Sequence, residues 1–224
     1  MSNHRRPRAA RPREKLLEHG VQALSDAELL GLLLGSGTRG ASAVQLARRL
    51  LGDFGSLRDL LSAQPPRCRR RTGAVAARYA ILQAALELSR RHLREALRAG
   101  PALAAPQATR TFLLAQLRDK PYEVFCCLYL DGRHRLIAFE ELFRGTIDRA
   151  GVHPREVLRQ VLAHNAAAVM FAHNHPSGVL EPSTADELIT RRLRDALALV
   201  DVQVLDHFII GDGQCFSFCE NGLL

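Results

Sequence analysis

Residues 167–175, AAVMFAHNH, form an apolar run that ends in two histidines and is cut off by Pro176. This segment constrains the fold more than any other. Its length and content suit a buried strand. Along a strand, residues i and i+2 point to the same side, so His173 and His175 can converge on one ion. Proline cannot donate to a ladder, so the strand must stop and open at that point. Eleven residues past His175 lies Asp186, three beyond Ser183. Ser-x-x-Asp is a capping-box pattern, which predicts a helix over Thr184–Val200 with Asp186 in its first turn. A loop that returns this helix start to the strand end brings the carboxylate to the histidines. Two imidazoles, one carboxylate and an open fourth position make a catalytic zinc pattern. Such a site also needs a general base that is not itself a ligand.

The rest of the second half alternates in the same way. ATRTFLLAQLRD reads as a helix, and YEVFCCLYLD and HRLIAFEELFRGTI read as strands joined by a hairpin-type turn at DGRH. A helix over His153–His164 carries Pro154 in its first turn, where the missing N–H costs little. VQVLDHFIIG and Cys215–Phe218 complete the strands. Strands alternating with helices predict an α/β layered domain. The first hundred residues differ, because every periodic segment there is helical. LSDAELLGLLLGSG is capped by Ser25 with Glu28 in capping-box position, and Gly35 and Gly37 stop it. ASAVQLARRLLGDFG gathers Val44, Ala47, Leu50 and Leu51 on one face. A short helix near Leu57–Leu61 and a long one over residues 72–97 follow. The expected organisation is a disordered basic tail at 1–13, an all-α domain at 14–97, a Pro/Gly linker at 98–107 and an α/β domain at 108–224.

Charge divides along the same line. Residues 1–100 hold 19 Lys+Arg against 8 Asp+Glu, whereas residues 101–224 hold 12 against 15. A basic half beside a mildly acidic one points to two modules, the first suited to non-specific contact with nucleic acid. Lysine occurs only at 15 and 120, so arginine carries nearly all of that charge. No apolar run is long enough for a membrane span, and nothing of the signal-peptide kind follows the basic start. A cytoplasmic protein is expected. Five cysteines without zinc-finger spacing then read as reduced, mostly buried thiols.

The stretch AHNHPSG…PSTAD is similar to the signature of the JAMM (MPN+) metallohydrolases, and its wording resembles the bacterial RadC (UPF0758-type) branch. LFRGTIDRAGVHPREVLRQVLAHNAAAVMF, VLDHFIIGDGQ and the N-terminal PREKLLEHGVQALSDAELLGLLLGSGTRG resemble the same branch, so the likeness spans nearly the whole chain. It implies a mixed-sheet α/β MPN domain, with cytidine-deaminase-like layering, behind an N-terminal helix-hairpin-helix-like domain. It also implies Zn2+ held by His173, His175 and Asp186, with Ser183 polarising the scissile carbonyl. An upstream glutamate is implied as the base that takes a proton from the attacking water. Glu123, just before an apolar strand and 50 residues ahead of His173, fits best. Glu156 is the rival, and Glu140 and Glu141 are outsiders.

The activity so implied is hydrolysis of a peptide or isopeptide bond in a peptide or protein substrate. The alternative is a DNA-associated repair or recombination accessory whose metal site is structural or vestigial. HNH endonucleases share only the letters, since here the segment ends a strand, meets proline and is completed by Ser-x-x-Asp. One departure from the family concerns the hairpin, whose turn usually reads Gly-apolar-Gly. Here TGAVAARYA keeps Gly73 but has Val75 in place of the second glycine, and a β-branched residue tolerates positive φ poorly. Phosphate contact would fall instead to Arg69, Arg70, Arg71 and Arg78, without sequence preference. Asp206 and His207 are candidate hydrogen-bond partners for the ligand histidines. Asn174, between the ligands, should point away from them into a structural role.

Overall fold

A computed structural model describes residues 11–63, 74–100, 106–145 and 151–224. The chain divides into two compact units, Met1–Leu88 and Ser89–Leu224.

Among its described residues the first unit is helical. Helix α1 spans Pro12–His19, α2 Asp26–Leu34, α3 Ala43–Phe54 and α4 Leu57–Ser62, and α5, Ala74–Ala99, begins in this unit. Residues 12 and 13 of the tail expected over 1–13 are helical instead, because Pro12 occupies the first turn of α1, where its fixed φ suits a helix. Residues 1–10 lie outside the described residues. Ser25 and Glu28 form the expected capping box, and Ser42 and Gln45 form another at α3. Gly35, at φ 68°, ends α2. The core gathers Ala27, Leu30, Leu34, Val44, Ala47, Leu60 and Leu82, with Leu50 and Leu51 partly buried against it. Gly31 lets α2 approach α3 closely, since a Cβ there would come 3.0 Å from the Val44 side chain. Gly73 lies outside the described residues, and the backbone of Val75 is already helical.

The second unit holds the end of α5, helix α6 (Pro106–Leu117), strands β1 (Val124–Leu130) and β2 (Leu136–Arg144), helix α7 (Pro154–Ala163), strand β3 (Ala168–Asn174), helix α8 (Thr184–Ala198), and strands β4 (Gln203–Ile210) and β5 (Cys215–Ser217). The division falls inside α5 rather than at the Pro/Gly stretch. Leu97 is buried in this unit's core, and Arg90 Nε donates to the Ala115 carbonyl at 2.9 Å. Residues 98, 99, 106 and 107 of the linker expected over 98–107 are helical, and residues 101–105 lie outside the described residues.

The five strands run in the order β2-β1-β3-β4-β5. Strand β1 is antiparallel to β2 and β3, β3 is parallel to β4, and β4 is antiparallel to β5. It is a mixed sheet with helices on both faces, so the domain is α/β as the alternation predicts. All seven residues of β1 and of β3 are buried, which explains their nearly unbroken apolar sequences. Alternation sorts them. Cys126, Leu128, Met170 and Ala172 pack with Phe112, Leu113 and Leu117 of α6. Phe125, Cys127, Val169 and Phe171 pack with Val157 and Val161 of α7 and with Ile189, Leu193 and Leu197 of α8. By the same parity His173 belongs to the α8 face and Asn174 to the α6 face. No described helix is long and apolar enough to cross a membrane.

Candidate metal centre

His173 ends β3 on the face covered by α8 and has no exposed surface. His175 lies just past the strand, where its N–H still pairs with the Ile210 carbonyl at 2.9 Å. Its ring Nδ1 lies 2.7 Å from the Val179 carbonyl. A carbonyl only accepts, so Nδ1 carries the proton and Nε2 keeps its lone pair. Asp186 enters from the first turn of α8 and is buried.

The three side chains meet. His173 Nε2 is 3.0 Å from His175 Nε2 and 3.2 Å from Asp186 Oδ1, and His175 Nε2 is 3.7 Å from Asp186 Oδ2. Metal–ligand bonds of about 2.0–2.1 Å in a tetrahedral site set donor atoms roughly 3.3 Å apart. The three separations straddle that value, and the donor set of two imidazoles and a carboxylate suits Zn2+ or a similar borderline ion. The group therefore fits a divalent metal without rearrangement of the backbone.

The carboxylate oxygens divide their work. Oδ2 accepts the Ser183 N–H at 2.8 Å and the Ser183 hydroxyl at 2.6 Å, while Ser183 Oγ accepts the Asp186 N–H at 3.2 Å. The capping box and the candidate site thus share one residue: Oδ1 faces His173, while Oδ2 holds the cap and is the oxygen nearer His175. Burial alone would raise the Asp186 carboxyl, but bonds from His173 and Ser183 outweigh it and hold the group below the usual carboxylate range. Asp186 is accordingly an anion at neutral pH, as a ligand must be.

Around this group the remaining candidates separate. His207 Nε2 lies 2.8 Å from His173 Nδ1, the contact expected of a ligand's outer partner. Asp206 is not such a partner. It is paired with Met170 while His207 is paired with Phe171, so the two point to opposite faces of β4. Its carboxylate accepts the Ser217 hydroxyl at 2.6 Å and the Cys219 and His207 N–H groups at 3.0 and 2.7 Å. Asn174 takes the structural role foreseen for it, accepting the Val124 N–H at 2.9 Å and donating to the Tyr122 carbonyl at 3.1 Å.

Glu123 stands one residue before β1. Two residues on, Phe125 pairs with His173, so Glu123 stands at the end of β1 that lies beside the end of β3. The rival glutamates lie elsewhere. Glu156 pairs with Arg159 at 2.7 Å on the surface of α7, and Glu141 pairs with Lys120 at 2.5 Å. Glu140 meets His164 at 3.0 Å beside Tyr129, toward the opposite end of β1 from His173. His153 caps α7 and lies edge-on to Phe143, and Arg155 is exposed. Arg78 donates to the Gly37 carbonyl at 3.1 Å, while Arg69, Arg70 and Arg71 lie outside the described residues. Thr190, buried one turn after Asp186, escaped the sequence reading. Its only signal there was the i+4 spacing from the carboxylate ligand.

The RadC-like JAB domain matches residues 103–223, and the UPF0758 N-terminal family matches residues 4–80. The chain belongs to the RadC-like JAB domain family. UPF0758 relatives resemble it almost end to end. That of Thioalkalivibrio sulfidiphilus is 63% identical over 218 residues, covering 97% of each chain. The protein from Nitrosococcus oceani is 62% identical over 96% of each, and that from Azotobacter vinelandii 61% over 97% of each. Those names give a family and no reaction, so the chemistry rests on the site itself.

Proposed function

We propose that this RadC-like chain is a zinc-dependent hydrolase of amide bonds, peptide or isopeptide. The supporting observation is the convergence of His173 Nε2, His175 Nε2 and the Asp186 carboxylate, the one cluster of metal-ligating type among the described residues. Bound there, Zn2+ supplies a Lewis acid and a water nucleophile at neutral pH. Glu123, two residues before the strand partner of His173, takes the proton of the attacking water and returns it to the leaving amine. His175 is the ligand with some exposed side-chain surface, 14%, against 0% for His173 and 2% for Asp186, so substrate approaches from its side. Ser183 has one hydroxyl proton and gives it to Asp186 Oδ2. To polarise a scissile carbonyl the hydroxyl must turn from that oxygen to the substrate. The four described cysteines are free thiols, which supports a cytoplasmic setting.

The test is metal analysis joined to a screen of peptide and isopeptide substrates. Wild type should carry one zinc per chain, and H175A should lose both metal and activity. E123Q should keep its zinc and lose activity by about a hundredfold or more. Wild-type protein without stoichiometric zinc, or an E123Q variant of normal activity, would overturn the reading.

A second reading draws on the excess of arginine in residues 1–100. It makes the chain a DNA-associated accessory in repair or recombination whose metal serves structure. It predicts DNA binding indifferent to E123Q.

A further inference from the structure

We propose that Gly211, in the turn between β4 and β5, is a positioning residue for His175. Its bare Cα is the seat on which the loop 176–182 rests, and that loop aims the imidazole at the other two candidate ligands. The inference rests on reading the His173–His175–Asp186 group as a metal centre. It follows from how closely two stretches of backbone approach each other.

Of the three candidate ligands, only His175 stands outside a strand or helix. His173 lies within β3 and Asp186 within α8, so each takes its place from a ladder or a helix. The backbone of His175 keeps one such bond, from its N–H to the Ile210 carbonyl. Its ring is held by its own loop, with Nδ1 2.7 Å from the carbonyl of Val179 four residues on. Tying one ring nitrogen to an outer partner orients the other, here Nε2, which faces His173 and Asp186. The aim of the ring therefore depends on where the Val179 carbonyl stands. The residues on either side of Val179 settle that. Gly178, at φ 82°, donates its N–H to the His175 carbonyl at 2.9 Å and closes the turn. A Cβ on Gly211 would lie 2.6 Å from the Gly178 carbonyl oxygen and 2.7 Å from Leu180 Cδ2, distances that packed Cβ atoms do not reach. Both neighbours of Val179 thus rest on the bare Cα of Gly211. The contact is mutual, since a Cβ on Gly178 would come 3.3 Å from Asp212 Cβ.

The turn itself does not call for glycine at 211. Gly213, at φ 79°, takes its left-handed position, and Gly211 does not have a positive φ. Its N–H donates to the Gln214 carbonyl at 3.0 Å, a bond that most residues can make. What glycine supplies at 211 is closeness. The position is buried, so an added methyl cannot escape into solvent and must push one side away. On one side Ile210 pairs with Cys215 and holds the turn in the sheet. On the other, Pro176, Ser177 and Val179 are exposed, so the loop gives way. Its shift carries the Val179 carbonyl and, with it, the His175 ring. His173 and Asp186 keep their places on β3 and α8.

The experiment uses the full chain, two variants and two readouts. G211A pushes the loop off its seat. L180A takes away the loop's side chain over the seat and adds no atom, so it decides the matter if G211A does not fold. Titration with Co2+ and Zn2+ against a competing chelator should show affinity lowered about tenfold or more in G211A, the effect typical of lost outer partners. L180A should lower it in the same direction by less. In metal-free protein, 1H–13C spectra of the histidine rings should show the His175 signals displaced in both variants. The signals of His207 should move less, although it stands on β4 only four residues before Gly211. A fault confined to the packing of β4 and β5 would move His207 first. Wild-type metal affinity in a folded G211A or in L180A overturns the inference, and so does a loss in which His207 moves as far as His175. A wild type that takes up no metal, with His175 displaced in G211A, would sink the metal reading and leave the seat standing. With His175 unmoved as well, both fall.

Discussion

Asp186 both holds a helix end, through Oδ2, and faces the imidazoles, with Oδ1 toward His173, so substitutions there and at Ser183 should separate the two tasks. In S183A the cap is lost and the carboxylate remains. Unfolding of metal-free protein should show a loss of about 1 kcal/mol, with zinc still bound. In D186N the amide oxygen can still accept the Ser183 N–H, but the stabilisation of a carboxylate held below its usual range is lost, so metal-free stability at pH 7 should fall as well. The negative ligand is gone, and zinc uptake measured by elemental analysis should fall to background. These residues were legible because each obeys a local rule, i,i+2 on a strand and third position on a capped helix. Glu123 as a candidate base draws besides on the register that pairs Phe125 with His173. Thr190 and His207, whose Oγ1 and Nδ1 lie 2.6 Å apart, were not legible as a pair. They come from different elements, and only the packing of α8 against β4 brings a threonine hydroxyl to an imidazole.

At the scale of the element, α8 couples folding to the site. Leu193 is fully buried against the sheet on the same helix as Asp186 and Thr190. L193A should cost about 2–5 kcal/mol in urea unfolding and should also weaken zinc binding, because the cavity lets α8 shift. In the first unit Glu28 does comparable work. It accepts the Ser25 N–H at 2.9 Å and pairs with Lys15 of α1 at 3.0 Å. The Ser25 bond first, then Lys15, holds its carboxyl down at about 2. A folded value below the unfolded one means the stabilisation is full above the ordinary carboxylate range and is lost as pH falls through about 2. Denaturation of wild type and E28Q should therefore differ at pH 7 and converge as the pH is lowered toward 2. The sequence announced this box but not α1 itself, whose polar face buries no residue and so leaves a weak apolar signature. Strands β1 and β3 were easier, since burial on both faces leaves an apolar run that no surface helix tolerates.

For the whole molecule, the informative quantity is the uneven spread of charge, with 19 basic residues against 8 acidic ones in residues 1–100. If that excess serves nucleic acid, binding draws on released counterions and carries no sequence preference. The logarithm of the affinity for duplex DNA should fall linearly with the logarithm of salt concentration, alike for unrelated sequences. Each phosphate contact removed should reduce the slope by about 0.9. Replacing Arg69, Arg70 and Arg71 together with glutamine is the direct test, since Arg78 also holds the Gly37 carbonyl and its loss would confound folding with binding. Zinc content serves as the internal control, because the candidate ligands stand at the end of β3 and on α8 of the other unit. A triple variant with a shallower slope and full zinc would make DNA contact a property of the basic unit, separable from hydrolysis. An unchanged slope would instead make the arginine excess a feature of composition, and the hydrolase would stand without the DNA partner.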